Sequence, residues 1–314
     1  MAPSAPTTSV QELNSARHLF HTKEFYVSNA AKPGGGSGTG ISYHGGTVLQ
    51  SATNVVAIYW GSSTSPVGYQ NLPTGNGAGS VDGSLIGTFL SNLSAITDYA
   101  ANKKYFNINH TYWGPGGSST TNLINPTVNY TAYWNTAGSG APAPSASPTD
   151  ADMIALIQWG LNNGKLSYDA NTLYSIFTGS GVNLGGGFGV QYCAYHTHGA
   201  TSQGNVYYAA MPYNQQYVSG CTSQYASPNA DVAANSEVNT LAHEIEETTT
   251  DAMGNAWYDN RGYENGDKCA WTWGTTATAA PSGGVYNETT PGGVHFLVQQ
   301  NWINAGTGGC LTGY

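Results

Sequence analysis

The chain has 314 residues, of which 39% are hydrophobic and only 8% are charged, and its formal net charge at pH 7 is −9. Nucleic acids and anionic membranes bind basic surfaces, so this charge argues against both as partners. No apolar run approaches the roughly 20 residues that a membrane-spanning helix needs. The scarcity of charge indicates the polar, uncharged surface of a secreted, extracellular protein.

The N-terminal segment has the composition of a leader. Pro and Ser open it, and the stretch 32–38 (KPGGGSG) closes it as a linker. Because Gly- and Ser-rich segments are flexible, we predict that residues 1–40 form a flexible leader and residues 41–314 a single domain. Met1 leads directly into Ala-Pro-Ser-Ala-Pro without an apolar signal segment, so we interpret it as a start residue added to a mature secreted chain.

Apolar periodicity predicts strands and helices that alternate along the domain. In chain order, the predicted elements are a strand at 53–60, a helix within 83–100, a strand near 111–113, a helix beginning at 149–150, strands at 173–177, 189–195 and 206–210, a helix at 236–250 and a strand at 294–299. Thr149 and Asp150 have the side chains of a helix N-cap. The alternation predicts an α/β or α+β fold with a mixed sheet.

Four cysteines allow three pairings. In a charge-poor, Gly-rich chain an even count favours two disulfides and an oxidising compartment. No C-x-x-C spacing supports a zinc cluster instead. We expect the pairs Cys193–Cys221 and Cys269–Cys310, each closing a loop whose cross-link contributes roughly 3–4 kcal/mol by chain entropy.

The acidic residues are concentrated around one short motif. Eight of the chain's seventeen acids lie between residues 237 and 267, and they surround the pattern H-E-x-x-E at 243–247. On a helix His243 and Glu247 lie one turn apart on the same face, where both can bind one Zn²⁺. Glu244 has the place of the general base in the zinc-peptidase pattern H-E-x-x-H. The predicted helix at 236–250 is therefore an active-site helix.

A third metal ligand has to come from another segment. Glu264 and Asp267 lie downstream of the motif at the distance where thermolysin-type peptidases place their third ligand, and either of them can serve. His196 and His198 alternate on a predicted strand, so both face the same side. His196 is expected to stabilise an oxyanion or to bind the metal. His198 is expected either to join it at the site or to be an ordinary surface residue.

Other polar residues near the motif have simpler interpretations. Glu246 and Glu237 are expected on a solvated helix face, and His44, His110 and His295 are expected in structural roles. Zn²⁺ is the expected ion. The carboxylate in place of a histidine ligand weakens the case for Zn²⁺, because an oxygen-rich ligand set suits Ca²⁺ or Mn²⁺ better; at a catalytic site these two ions are nevertheless expected less than Zn²⁺.

Several segments resemble the EXORDIUM-like (phosphate-induced protein) family of secreted plant proteins and their fungal and bacterial relatives. The segments are YHGGTVL at 43–49, FGVQYCAYH at 188–196, HEIEET at 243–248, AWYD at 256–259, ENGDKC at 264–269, FLVQ at 296–299 and Cys310. The resemblance implies secretion and a cell-wall or extracellular setting, but no particular reaction. Gly-, Thr- and Asn-rich loops and few basic residues indicate a microbial member, so plant growth roles are not carried over.

Three functions compete for this chain, which we expect to be a monomer. The first is a secreted zinc metallopeptidase with a single zincin-like domain, in which Glu244 activates water and His196 or Tyr258 stabilises the oxyanion of a polypeptide substrate. The alternative is a non-catalytic wall- or glycan-binding protein with a structural ion, whose 22 tyrosines and eight tryptophans stack on sugars. A third is a glycosidase that uses Glu244 with Glu264 or Asp267.

Overall fold

The computed structural model describes residues 40–62 and 64–314, so the predicted flexible leader lies outside the described residues, except for Gly40. The strands are β1 (Ser42–Tyr43), β2 (Thr53–Trp60), β3 (Asn76–Ala78), β4 (Thr97–Asp98), β5 (Trp113–Ser118), β6 (Thr121–Leu123), β7 (Val128–Asn135), β8 (Thr172–Thr178), β9 (Tyr195–Thr201), β10 (Gly204–Met211), β11 (Trp257–Tyr258), β12 (Ala277–Thr278), β13 (Val285–Tyr286), β14 (Glu288–Thr289), β15 (His295–Phe296), β16 (Asn301–Ile303) and β17 (Gly309–Leu311). The α-helices are α1 (Leu85–Asn92), α2 (Asp150–Asn162), α3 (Val218–Cys221) and α4 (Val232–Thr250). Short 3₁₀ helices cover Gly79–Val81, Tyr105–Thr111, Asn214–Tyr217 and Asp267–Cys269.

The largest sheet has six strands in the order β3-β7-β2-β8-β10-β9. The four central strands are parallel to one another, and the strand at each edge, β3 or β9, is antiparallel to its neighbour. Parallel strands need helical crossovers, and α1 and α2 supply two of them. The prediction of a mixed α/β architecture is therefore confirmed.

Both faces of this sheet are covered, which explains why its central strands are continuously apolar. In β2 the alternate residues Val55, Ala57 and Tyr59 pack in one core cluster with apolar side chains of α1 and α4. The intervening residues pack on the opposite face with apolar side chains of α2. Helix α4 therefore lies against one face of the sheet.

Several predicted elements agree with the structure. β2 has the predicted bounds, and β8, β10 and α4 include the predicted segments and extend beyond them. Thr149 is the N-cap of α2 and forms a capping box with Asp152, because each side chain bonds the other residue's backbone N–H.

The predicted strand at 189–195 is wrong up to residue 194, since β9 begins only at Tyr195. Gly187 and Gly189 have φ angles of 96° and 81°, which turn the chain where a strand would extend it. The predicted strand at 294–299 shrinks to β15. Beyond β15 the side chain of Asn287 takes the place of a neighbouring strand, donating to the Val298 carbonyl (2.6 Å) and accepting from its N–H (2.9 Å).

Two further predictions have shifted boundaries. The helix within 83–100 ends at Asn92, whose carbonyl accepts from the N–H groups of both Ala95 (2.8 Å) and Ile96 (2.7 Å) in a closing turn. Residues 111–113 lie at the junction between a 3₁₀ helix and β5, which begins at Trp113.

Both expected disulfides are present. Cys193 pairs with Cys221 across a separation of 28 residues, and Cys269 pairs with Cys310 across 41. None of the described helices is long and apolar enough to cross a membrane.

Replacing Cys269 and Cys310 together by Ser should lower the free energy of unfolding by roughly 3–4 kcal/mol, because the unfolded chain regains the entropy of the open loop. Urea unfolding monitored by circular dichroism measures the change. The matched double variant at Cys193 and Cys221 should lose a similar amount. Unchanged stability in both variants would contradict a structural role for the disulfides.

Candidate metal centre

Helix α4 brings the H-E-x-x-E motif into the interior. Its N-cap is Asp231, whose side chain accepts from the N–H of Ala234 (3.0 Å). Leu241 and Ile245 join the apolar core against the sheet. At the other end, the hydroxyls of the threonine run 248–250 bond to carbonyls one turn earlier. The helix is polar in sequence yet buried along nearly its whole length, so its acids need partners inside the protein.

His243 and Glu247 meet one turn apart, as the sequence predicts. His243 Nε2 lies 3.1 Å from Glu247 Oε1 and 3.8 Å from Asp267 Oδ1. The backbone N–H of Asp267 also donates to Glu247 Oε1 (2.8 Å). Suitable ligand atoms of these three residues all lie within 4.8 Å of one another. Asp267, rather than Glu264, is therefore the downstream acid that joins His243.

His196, on the edge strand β9, gathers a second set of acids. Its Nδ1 lies 3.2 Å from Glu244 Oε2 and 3.7 Å from Glu247 Oε2, and its Nε2 lies 3.8 Å from Glu264 Oε1. Nε2 also lies 3.2 Å from the carbonyl oxygen of Asp251. Glu264, the other candidate ligand, thus belongs with His196. Ligand atoms of His196, Glu244 and Glu247 again lie within 4.8 Å of one another.

Glu247 connects the two sets, since its Oε1 faces His243 and its Oε2 faces His196. We call the six side chains together the Glu247 cluster, whose members are His196, His243, Glu244, Glu247, Glu264 and Asp267. None of them is more than 7% exposed. The cluster holds four carboxyl groups against two imidazoles. The nearby cations Arg261 and Lys268 pair instead with Asp259, at 3.3 Å each.

Burial and crowding of like charges shift the ionisation of the cluster. Burial alone would lower the pKa of the His243 imidazole, but the carboxylates of Glu247, Glu244 and Asp267 outweigh it and raise that pKa to about 10. Burial, reinforced by the surrounding carboxylates, raises the pKa of Glu264 well above its usual range. Without a bound cation, protons therefore compensate the negative charge of the cluster.

Asp251 anchors the end of α4 beside the cluster. Its Oδ1 accepts from the N–H groups of Asn255 (2.6 Å) and Ala256 (2.7 Å). Burial raises the pKa of Asp251 to about 6, against the opposing effect of these hydrogen bonds and of His196. Sequence reasoning counted Asp251 among the clustered acids but gave it no role.

Sequence reasoning also missed Gly266 and Gln299. A Cβ atom at Gly266 would lie 2.9 Å from both Glu247 Oε1 and His243 Nδ1, so only glycine allows this loop to approach the motif. Gln299 Nε2 donates to the Gly266 carbonyl (2.9 Å) and holds the loop in place. For Gly266 the sequence did contain a signal, namely a glycine between the two candidate metal ligands of the segment ENGD.

Other predicted residues lie elsewhere. Glu237 and Glu246 were expected on a solvated face, and this is wrong, because both are 0% exposed. Beyond its first turn α4 is buried on nearly every side, and Asn239 Oδ1 accepts from the N–H of Gln299 in the C-terminal segment (2.7 Å). His198 is partly exposed on β9. Tyr258, the other oxyanion candidate, stacks on His44 with ring centroids 3.7 Å apart.

The remaining histidines make local contacts. His110 Nδ1 lies 2.9 Å from the Ile124 carbonyl oxygen, and His295 Nδ1 lies 3.1 Å from Thr289 Oγ1. These contacts agree with the structural roles expected for them.

The residues of the cluster fit a divalent cation. Glu247 Oε2 and Glu264 Oε1 are buried and accept no hydrogen bond from any residue within 40–62 and 64–314. Buried carboxylate oxygens without donors are costly unless a proton or a cation lies beside them. Imidazole nitrogens with carboxylate oxygens are a donor set for Zn²⁺ or Mn²⁺.

Gly266→Ala should lower the free energy of unfolding by about 1–3 kcal/mol, the usual range for overpacking, because the new methyl group displaces Glu247 or His243. The backbone at Gly266 is right-handed helical, so the cost is steric rather than conformational. Urea unfolding measures it. Gly83→Ala is the control, since a Cβ there meets nothing within 4 Å. Equal stability of the two variants would contradict the close approach.

In EDTA, the stability that His243 contributes should fall as the pH rises. Its folded-state pKa of about 10 exceeds the unfolded value near 6.5, so the contribution is complete below about pH 6.5 and is lost as pH rises through 10. The difference in unfolding free energy between wild type and His243→Gln should therefore shrink between pH 6.5 and 10. A difference that stays constant or grows would contradict the ion pairs of His243.

Comparison with known proteins identifies the family of this chain. The conserved region of phosphate-induced protein 1 matches residues 149–311, just over half of the chain. The match includes the whole Glu247 cluster and all four cysteines, whereas the YHGGTVL segment at 43–49 lies outside it. Searches of curated proteins and of solved structures gave no match. The chain belongs to the phosphate-induced protein 1 family, the EXORDIUM family that its motifs resemble.

Proposed function

We propose that this chain is a zinc-dependent hydrolase that cleaves peptide bonds, with His243, Glu247 and Asp267 as the zinc ligands. The observation that carries the proposal is the approach of two carboxylate oxygens to His243 Nε2, at 3.1 Å for Glu247 Oε1 and 3.8 Å for Asp267 Oδ1. One imidazole and two carboxylates leave coordination positions for water and substrate, as catalytic zinc sites do.

A Zn²⁺ ion bound there supplies Lewis acidity, which acidifies water and polarises a substrate carbonyl. Glu244 is next to His243 on α4 and outside this ligand set, so its carboxylate accepts the proton of the attacking water and passes it to the leaving amine. His196 acts as a positioning residue, because its Nδ1 holds Glu244 Oε2 at 3.2 Å. Its other nitrogen is fixed by the Asp251 carbonyl.

The surroundings of the cluster favour a polypeptide substrate. β9 is an edge strand of the large sheet, and its residues from His198 onward are partly or fully exposed. An extended chain can pair with such an edge by main-chain hydrogen bonds. A surface hollow of about 360 Å³ lies next to the cluster and is lined by Arg261, Tyr263, Asp267, Lys268 and Trp302.

The fold supports a peptidase by analogy. A mixed sheet with an antiparallel edge strand, followed by a helix that carries the motif, resembles the plan of zincin peptidases. Two disulfides favour an oxidising compartment, and we infer a secreted protein. The monomeric state stays a prediction.

Glu244→Gln should lower the rate of casein or peptide cleavage by about 10²- to 10⁴-fold, because an amide cannot accept the proton. Zinc bound at the His243 ligands should be retained, as measured by metal analysis after dialysis. Glu246→Gln is the matched control: the neighbouring glutamate is equally buried but lies outside the cluster, and its variant should cleave at the wild-type rate.

Cleavage by Glu244→Gln at the wild-type rate would contradict the proposed mechanism. If metal removal lowered only the melting temperature while sugar binding survived, the alternative of a wall-binding protein with a structural ion would be favoured. Full activity after verified metal removal would favour hydrolysis by the acids alone.

A further inference from the structure

We propose that His196, Glu244 and Glu247 form a second divalent-cation site, and that an ion bound there inhibits the hydrolase by occupying its base, Glu244. The inhibitory effect rests on the proposed function. The second site itself rests only on the geometry around His196.

The first support is the division of Glu247 between two sets of donors. Oε1 lies 3.1 Å from His243 Nε2, and Oε2 lies 3.7 Å from His196 Nδ1. A carboxylate whose two oxygens face different imidazoles can bind one cation with each oxygen. Pairs of metal ions about 3.5–4 Å apart are common in hydrolytic centres.

The second support is the orientation of His196. Its Nε2 lies 3.2 Å from the backbone carbonyl oxygen of Asp251, which can only accept, so Nε2 carries a hydrogen. Nδ1 then faces Glu244 Oε2 and Glu247 Oε2. A histidine that donates one nitrogen to a backbone carbonyl and turns the other toward carboxylates has the arrangement typical of a metal ligand.

The third support is the presence of unsatisfied oxygens at this point. Glu247 Oε2 and Glu264 Oε1 are buried and accept no hydrogen bond from the described part of the chain. Glu247 Oε2 lies 3.7 Å from His196 Nδ1, the nitrogen that can bind an ion, whereas Glu264 Oε1 lies 3.8 Å from Nε2 and adds negative charge next to the site. Three carboxyl groups around one imidazole give an excess of negative charge that a divalent cation compensates.

Occupation of the second site has a chemical consequence. Glu244 Oε2 would be bound to the ion, and a carboxylate that binds a cation is a poor proton acceptor. The second ion also shares Glu247 with the first and is repelled by it, so we expect it to bind more weakly. Activity should therefore rise with the first equivalent of zinc and fall at higher concentration.

Equilibrium dialysis of the full chain, stripped with EDTA and titrated with Zn²⁺, should give two ions per wild-type chain. His196→Gln should lower the affinity for the weaker ion at least tenfold and leave the tighter one, whereas Glu247→Gln should weaken both. Glu246→Gln, the control, should bind two. In peptide cleavage by His196→Gln, the zinc concentration that halves the residual rate should rise at least tenfold.

A wild type that binds a single Zn²⁺ would overturn the second site. Two ions without inhibition at the weaker one would overturn the role assigned to Glu244. Two ions with the variant pattern above but without hydrolysis would support the second site and count against the proposed function.

Electron paramagnetic resonance of wild type loaded with two equivalents of Mn²⁺ tests the site without any variant. Two ions that share Glu247 should give an exchange-coupled spectrum, and two isolated signals would contradict the shared ligand.

Discussion

The burial of Glu247 between two histidines is the interaction on which the centre depends. The side chain is 0% exposed, and its oxygens contact His243 on the same helix and His196 on the edge strand β9. The N–H of Asp267 adds a contact from the downstream loop. A charged group cannot be buried at low cost unless opposite charge or hydrogen bonds surround it. The strand, the helix and the loop therefore have to meet at one point.

The fold keeps these three segments in register by different means. The strand is held by its pairing with β10, where His196 lies opposite Ala209, and the helix is held by apolar packing against the sheet. The loop has little apolar surface. It is fixed by the Cys269–Cys310 disulfide, by the hydrogen bond from Gln299 and by the missing side chain of Gly266. The loop that carries Asp267 is therefore held by a disulfide, a hydrogen bond to its backbone and a close approach at glycine, rather than by surface ion pairs.

The sequence predicted the elements that neighbouring residues determine, and it did not predict the features that depend on contacts between distant segments. β2 and the Thr149 cap follow from neighbouring residues, and both are found where predicted. The strand at 294–299 is interrupted by Asn287, and the burial of Glu246 depends on segments packed against α4 from far along the chain. Local patterns do not contain such contacts.

In the candidate site, too, locally determined features were predicted and features that depend on the folded loop were not. The pairing of His243 with Glu247 follows from helix geometry and was predicted. The choice between Glu264 and Asp267 was open, because both are carboxylates within four residues of each other. The structure divides them between the two histidines. That division depends on the turn at Gly266, which no spacing rule describes.

The glutamate at position 247, where the zinc-peptidase pattern has histidine, has a physical explanation in this arrangement. An imidazole there would offer one nitrogen to an ion, and its other nitrogen would need a hydrogen-bond partner in the interior. A carboxylate offers two equivalent oxygens, and here they face His243 and His196 separately. It also carries a negative charge that compensates a cation on either side. The carboxylate at position 247 thus joins two donor sets that a histidine would leave separate, and under the proposed function the concentration of acids around this motif would compensate the charge of the bound cations.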